Sequence, residues 1–140
     1  IALLDVLEHV EADRESLAAL RTRLLPGGRI LLTVPAAPWL WSDHDVLHHH
    51  KRRYTLAGLT HVAQAAGLRI ETAGYFNSLL FPLAVAARVA HRLLGRKGST
   101  DAQPSALING LLRRIFASER HMLGRLRFPM GLSLYAILSV

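Results

Sequence analysis

A continuous apolar run from Arg29 to Val34 constrains the fold of this chain more than any other feature. Its sequence, Arg-Ile-Leu-Leu-Thr-Val, begins directly after Pro26-Gly27-Gly28. Such a run is typical of a parallel strand that is buried on both faces of a sheet. Residues Ile1 to Asp5 indicate the end of another buried strand, because four apolar side chains are followed by an acid. We therefore expect a sheet covered by helices.

Helical patterns alternate with these strands. Leucines recur at spacings of three and four between Leu17 and Leu25. Thr55 is placed to cap a second helix that runs through Ala66, and residues 68–75 follow as an alternating strand. Strand–helix–strand alternation implies right-handed crossovers and a mostly parallel sheet with helices on both faces. The predicted fold class is α/β.

The second half of the chain reads as helices followed by one more strand. Residues 79–95 predict a helix with Pro82 in its first turn, and residues 107–126 carry apolar side chains at helical spacing. Between them, residues 96–104 read as a polar linker. Residues 132–140 are almost continuously apolar, which favours an interior strand of the sheet.

The charge of the chain is unevenly distributed. The whole sequence has 140 residues and a formal net charge of +7. Residues 1–78 carry eight Lys or Arg and eight Asp or Glu, whereas residues 79–140 carry nine basic and two acidic residues. The excess of positive charge is therefore one basic surface in the second half. The sequence contains no Cys, which excludes a disulfide scaffold and a thiol nucleophile and fits a cytoplasmic location.

Titratable side chains follow the first two predicted strands, where ligands bind in open parallel sheets. The first group is Asp5-Val6-Leu7-Glu8-His9-Val10. The second is the long connection over residues 35–54, which holds two Trp and four His. Its polar and aromatic residues are Trp39, Trp41, Asp43, His44, Asp45, His48, His49, His50, Arg52, Arg53 and Tyr54. Long loops in compact domains are usually functional, so we expect both groups to face one crevice.

These segments resemble the second half of class I S-adenosylmethionine-dependent methyltransferases. The resemblance is carried by Asp5-Val6-Leu7-Glu8-His9-Val10, followed by Leu24-Leu25-Pro26-Gly27-Gly28 and the strand that ends at Pro35. Asp45, His50, Arg53, Tyr54 and Thr55 resemble a segment common in one bacterial branch of that family. Where relatives of that branch tend to have a small residue, often Gly, this chain has His49.

The resemblance implies a Rossmann-like, seven-stranded sheet whose last strand is antiparallel and lies next to the strand 29–34. Residues 1–140 would be the C-terminal part of a single methyltransferase domain, with residues 79–128 as a basic helical insertion before the last strand. The family's glycine-rich loop would precede Ile1, since the sequence contains no Gly-x-Gly-x-Gly. We therefore expect this polypeptide alone to lack most of the cofactor site and to be inactive.

The resemblance also implies site residues for S-adenosylmethionine and for a small-molecule or lipid-linked acceptor. Asp5, Val6, Leu7, Glu8 and His9 would line the cofactor side. The alternative role of Glu8 and His9 is to cap the next helix. Some O-methyltransferases of the superfamily hold Mg²⁺ with an acid-x-x-Glu-His motif at this position, which makes Asp5, Glu8 and His9 candidate metal ligands.

The long connection supplies the candidate catalytic and substrate-binding residues. His50 is the best candidate general base, because a neutral imidazole accepts a proton near pH 7, and Asp45 and Tyr54 are expected to face the substrate with it. Arg53 either anchors the loop or binds an anionic substrate group. Trp39 and Trp41 either cover the substrate or pack the loop onto the domain.

The basic helices of residues 79–128 allow three interpretations: a solvated face, a surface for an anionic membrane, or a nucleic-acid site. Arg88, His91, Arg92, Arg96 and Lys97 flank an apolar helix, as in interfacial anchors. Interleaved aromatics are lacking, which disfavours nucleic acid. A non-catalytic half-domain that binds a membrane surface or a protein is the alternative to an enzyme.

Overall fold

A computed structural model describes residues 1–94, 105–123 and 125–140 of the chain. These residues form an α/β fold with one four-stranded sheet. The strands are β1 (Ala2–Leu4), β2 (Arg29–Pro35), β3 (Arg69–Phe76) and β4 (Ser133–Ser139). The helices are α1 (Asp13–Arg21), α2 (Asp43–Leu47), α3 (Leu56–Ala65), α4 (Phe81–Leu93) and α5 (Ala106–Glu119). Two single 3₁₀ turns cover Leu7–His9 and Pro38–Leu40.

The last strand lies inside the sheet. The strand order is β1-β2-β4-β3, with β1 parallel to β2 and β4 antiparallel to both of its neighbours. Leu134, Ala136 and Leu138 of β4 are completely buried. The prediction of an interior, antiparallel last strand beside β2 is therefore confirmed, and this is the position that the methyltransferase resemblance implies.

One face of the sheet carries most of the hydrophobic core. Ile30, Leu32 and Val34 of β2 point to this face and pack with Leu17 of α1 and Leu59 of α3. On the opposite face of β2, Leu31 is 42% exposed. The apolar run predicted burial on both faces, and that part of the prediction is wrong, because the described helices cover this strand on one side.

The strand β1 is at the edge of the described sheet and is more exposed than its sequence predicted. It pairs with β2 only, and both Ile1 and Leu4 are about half exposed. The chain leaves β1 at Asp5, whose φ of 51° turns the backbone sharply. Because left-handed φ values are unusual outside Gly, this turn marks a position where the surrounding structure fixes the backbone.

The predicted helix boundaries are confirmed at some ends and displaced at others. Thr55 caps α3 by accepting a hydrogen bond from the Gly58 N–H at 3.0 Å, as predicted. The first helix ends at Arg21, before the predicted stop at Pro26-Gly27-Gly28. A turn follows in which the Thr22 hydroxyl bonds the Ala19 carbonyl, and this competes with continuation of the helix.

Helices α4 and α5 connect β3 to β4. Pro82 stands in the first turn of α4, as predicted, whereas the helix expected over 107–126 ends at Glu119. The predicted linker, residues 96–104, lies outside the described residues. Among the described helices, none combines the length and the apolar character that crossing a bilayer requires.

Candidate active site

An open cavity of about 410 Å³ lies where β1 and β2 end and β4 begins. Both groups of polar residues predicted at the strand ends contribute to its wall, together with α4. Ligands of open α/β sheets bind at this edge, beyond the carboxyl ends of parallel strands. Its lining residues are Asp5, Glu8, His9, Pro35, His44, His48, His50, Arg53, Ala84, Arg88, Leu132 and Ser133.

Backbone hydrogen bonds close the loop that carries most of these side chains. The Ala37 N–H donates to the Tyr54 carbonyl at 3.1 Å, and the Tyr54 N–H donates to the Pro35 carbonyl at 2.9 Å. The Lys51 N–H donates to the Glu8 carbonyl at 2.7 Å, which joins the loop to the segment after β1. The two predicted groups of residues therefore face one crevice, as the sequence indicated.

Asp45 is the centre of a buried hydrogen-bond network. It is fully buried, and its Oδ1 accepts hydrogen bonds from His50 Nδ1 at 3.0 Å and from Arg53 Nε at 2.6 Å. Its Oδ2 accepts from the Ser42 N–H at 2.9 Å in a capping box at the start of α2. Arg53 Nη1 also donates to the Ala36 carbonyl at 3.1 Å. Arg53 therefore anchors the loop while it lines the cavity.

The charge on Asp45 determines which nitrogen of His50 carries the proton. Burial alone would raise the pKa of Asp45, but hydrogen bonds from Arg53 and His50 outweigh it, so the pKa lies below its ordinary value. An ionised carboxylate is only an acceptor, and His50 Nδ1 must therefore be the donor. In neutral His50, the lone pair is then on Nε2. This ring is one of those that line the cavity.

Glu8 is a buried carboxyl group with unused hydrogen-bonding capacity. It is buried at the cavity wall, and neither of its carboxyl oxygens has a hydrogen-bond partner among the described residues. Burial raises the pKa of Glu8. Buried polar atoms are nearly always paired, so an unpaired carboxyl group in a cavity indicates a place where a ligand donates hydrogen bonds or brings positive charge.

Four imidazoles line the same cavity as this carboxyl group. The His9 and His50 rings are 4.8 Å apart, and the His44 and His48 rings are 4.2 Å apart. Among the described residues, Glu8, His9 and His50 each offer a ligand atom, and these atoms lie within 4.8 Å of one another. The structure thus brings together three of the four loop histidines and His9, while His49 does not line the cavity.

This cluster does not match the Mg²⁺ site that the resemblance implies. Asp5 is not a member of it, and the Asp5 Oδ1 accepts a hydrogen bond from the Thr33 hydroxyl at 3.1 Å. Mg²⁺ prefers oxygen ligands in octahedral geometry, whereas two of the three groups here are imidazoles. The cluster of Glu8, His9 and His50 is therefore a different set from the one that the resemblance implies, and Asp5, Glu8 and His9 stay a prediction as metal ligands.

Tyr54 lies away from the cavity. Its side chain is buried in the core, and its hydroxyl donates to Asp13 Oδ2 at 2.8 Å. Burial and the hydrogen bond to Asp13 raise the pKa of Tyr54 far above its ordinary value. Arg52 Nη1 donates to the same Asp13 oxygen at 3.0 Å. Tyr54 is thus a link between the loop and α1, and the structure gives no support to the catalytic role predicted for it.

The remaining predicted site residues lie outside the cavity lining. Trp39 packs edge-to-face on Phe81 at the start of α4, with ring centres 6.0 Å apart, and Trp41 directly follows the 3₁₀ turn Pro38–Leu40. Neither Trp lines the cavity. Leu7 is buried in the hydrophobic core, and Val6 is partly exposed outside the cavity lining. Of the five residues predicted on the cofactor side, Asp5, Glu8 and His9 reach the cavity.

Sequence reasoning missed two contributions of the second half. Ala84 and Arg88, one helical turn apart on α4, line the cavity, and Arg88 Nη1 lies 3.8 Å from Asp45 Oδ2. Their i, i+4 spacing was the available signal. Buried Glu119, at the end of α5, accepts hydrogen bonds from the Ser78 and Leu79 N–H groups before α4. Nothing in the local sequence indicates that contact.

Comparison with known proteins gives only a distant likeness to solved structures. No protein-family profile and no curated protein matches the chain. Among solved structures, it is similar to phosphoethanolamine N-methyltransferase 2 of Haemonchus contortus in complex with S-adenosyl-L-methionine. The TM-score is 0.49 at 13% identity, over 99% of this chain and 32% of that chain. The chain thus spans about a third of the length of that structure, and a likeness this distant does not bear on its activity.

Proposed function

We propose that this chain carries the acceptor side of an S-adenosylmethionine-dependent methyltransferase that acts on a small-molecule or lipid-linked acceptor. The observation that carries the proposal is the Asp45–His50 pair at a cavity beyond the carboxyl ends of β1 and β2. The strand order β1-β2-β4-β3 and the motifs after β1 and β2 support the same family.

The acidic end of the cavity suits a cationic cofactor. When bound, S-adenosylmethionine supplies an electrophilic methyl group on a positively charged sulfonium. Asp5 and Glu8 would hold this sulfonium, because their carboxyl groups line the cavity and Glu8 has no hydrogen-bond partner among the described residues. A positive charge beside Glu8 would favour the ionised carboxylate and offset the cost of its burial.

His50 is the residue placed to take a proton from the acceptor. Its Nδ1 is engaged by Asp45, so its Nε2 is available to a hydroxyl or an ammonium group in the cavity. Asp45 touches neither ligand and is a positioning residue: it fixes the ring orientation and the tautomer and stabilises the imidazolium that forms. Such a base contributes most for an oxygen acceptor, whose hydroxyl is a poor nucleophile until it loses its proton.

The basic side of the cavity orients the acceptor. Arg88 reaches the lining from α4, opposite the loop that carries His50. A guanidinium at that place would favour an acceptor with a carboxylate or phosphate group. Arg53 is less suited to this task, because Asp45 and the Ala36 carbonyl already use its donors.

Transfer of a labelled methyl group tests the proposal. Full-length protein, methyl-labelled S-adenosylmethionine and separate aqueous and lipid extracts should yield labelled product in one of the two fractions. Loss of that product in a His50→Gln variant that still binds the cofactor would support the role of the cavity. A full-length protein that binds no S-adenosylmethionine would contradict the proposal and favour the non-catalytic alternative.

A further inference from the structure

Helix α4 has two chemically different faces. Ala84 and Arg88 line the cavity on one side. Because an α-helix turns by about 100° per residue, Val89 and Leu93 point to the opposite side. Leu93 is 82% exposed, and Leu83 and Val89 are about half exposed. The outer face of α4 therefore exposes apolar side chains.

Helix α5 repeats this pattern. Leu107 and Leu111 are one turn apart on the same face, and Leu107 is 88% exposed. Arg114, three residues after Leu111, continues the same stripe and is also exposed. Buried Glu119 lies elsewhere around the helix, where it holds α5 to the start of α4. Two helices thus expose leucines on the faces that do not pack against the domain. Exposed apolar patches of this kind mark interaction sites.

Among the described residues from 79 to 140, the exposed charge has a single sign. Glu119 is the only acidic residue among the described residues from 79 to 140, and it is buried. The exposed arginines of this region are Arg113, Arg114, Arg120, Arg125 and Arg127. A partner that covers the leucines therefore meets a strongly positive region of this protein, which favours a negatively charged partner.

We propose that α4 and α5 bind the surface of a membrane that contains anionic lipids. Exposed apolar side chains flanked by arginines are the composition of helices that lie in the lipid interface. Negative head groups complement the arginines, and the leucines enter the boundary of the acyl chains. A second copy of the same chain would instead place arginines against arginines. The inference does not depend on the methyl transfer proposed above.

Vesicle flotation of the full chain measures this binding directly. Vesicles of phosphatidylcholine mixed equally with phosphatidylglycerol should carry the protein at low salt, and vesicles of phosphatidylcholine alone should carry much less. Raising the salt should weaken binding, because exposed charges are screened over a Debye length of about 8 Å at physiological ionic strength. Sedimentation velocity on the same samples reports self-association.

Two variants and two matched controls separate the apolar from the charged contribution. Leu107→Ser with Leu111→Ser should abolish flotation, whereas Leu25→Ser should not, because Leu25 is 79% exposed but lies in the first half of the chain. Arg113→Gln with Arg114→Gln should lower the partition coefficient roughly fivefold for each arginine removed. Arg23→Gln, an exposed arginine in the first half, should leave it unchanged. Circular dichroism of each variant checks that it is folded.

The outcomes are distinct. Lipid-specific flotation that the α5 variants lose and the controls keep supports the inference. The inference is overturned if the protein floats with neither vesicle type. It is also overturned if Leu25→Ser lowers flotation as much as the α5 leucine variant does. A dimer in sedimentation that only the leucine variants dissociate, without vesicle binding, also overturns it and assigns the face to a second copy.

Discussion

Asp45 and His50 form a hydrogen bond of 3.0 Å between Oδ1 and Nδ1, with the carboxylate wholly buried and the imidazole at the wall of the cavity. Arg53 donates to the same oxygen at 2.6 Å. The Asp45 carboxylate is thus shielded from ligands, whereas a ligand in the cavity can reach the His50 ring. We therefore expect His50 to transfer the proton and Asp45 to position His50.

His50→Gln should lower the rate of methyl transfer without unfolding the protein. Glutamine cannot take a proton from the acceptor, and general bases contribute about 10²- to 10⁴-fold to rates. Single-turnover transfer measures the loss. His61→Gln is the matched control, since His61 is an exposed residue of α3 outside the cavity. An equal loss in both variants would remove the catalytic role from His50.

Asp45 should make stability depend on pH in the acid range. Its pKa in the folded protein lies below the ordinary value of 3.8, so the folded state binds fewer protons than the unfolded state there. The stabilisation is complete above that ordinary value and is lost as the pH falls through the folded pKa. Asp45→Asn lacks this contribution, so the difference in unfolding free energy between the two proteins should shrink on acidification.

Denaturant unfolding from about pH 6 down to pH 2 measures that difference. Asp43→Asn is the control, because Asp43 is an exposed residue two positions away in the same helix. A difference between wild type and Asp45→Asn that stays constant over this range would contradict the account of the buried carboxylate.

Tyr54→Phe should destabilise the fold and leave catalysis intact. The change removes the hydroxyl that donates to Asp13 at 2.8 Å, and a lost hydrogen bond to a charged group costs about 1.5–3 kcal/mol. Tyr75→Phe is the control, since its hydroxyl makes no hydrogen bond within the described part of the chain. A large loss of methyl transfer in Tyr54→Phe at full folding would restore the catalytic role first predicted for this residue.

His49→Gly should stabilise the protein. His49 has a φ of 56°, in the left-handed region where a side chain costs about 1–2 kcal/mol, and its side chain is exposed. Glycine removes that strain but has a more flexible unfolded state, so we expect a net gain of roughly 0.5 kcal/mol. Lys51→Gly, a change at an exposed position without positive φ, should instead lower the stability of the protein. Thermal unfolding of both variants compares them.

Local patterns predicted the parts of the fold that depend on neighbours in sequence. The apolar run at residues 132–140 indicated an interior strand because burial on the sheet follows from hydrophobicity. Thr55 indicated a helix start because capping involves residues three apart. The polar residues directly after the first two strands located the cavity, because ligands of open α/β sheets bind beyond the carboxyl ends of the strands.

Contacts between distant residues were beyond such patterns. Whether Tyr54 faces the cavity or α1 depends on Asp13, which is 41 residues away in the sequence. The contribution of Arg88 depends on where α4 lies relative to the cavity, which the i, i+4 spacing of Ala84 and Arg88 alone does not specify. The resemblance singled out Asp45 and His50 in one loop, but only the folded chain shows that His50 lines the cavity and that Asp45 is buried.

The proposed function requires a sulfonium cofactor to bind beside Glu8 in the cavity at the ends of β1 and β2. Calorimetric titration of the full-length protein with S-adenosylmethionine, and with S-adenosylhomocysteine, whose sulfur is uncharged, measures this binding. Glu8→Gln should weaken binding of the sulfonium compound about tenfold and leave the thioether compound nearly unchanged, because only the former loses a charge interaction. Exposed Glu15→Gln is the control. Equal weakening of both ligands by Glu8→Gln, or no binding of either by the wild type, would contradict the account.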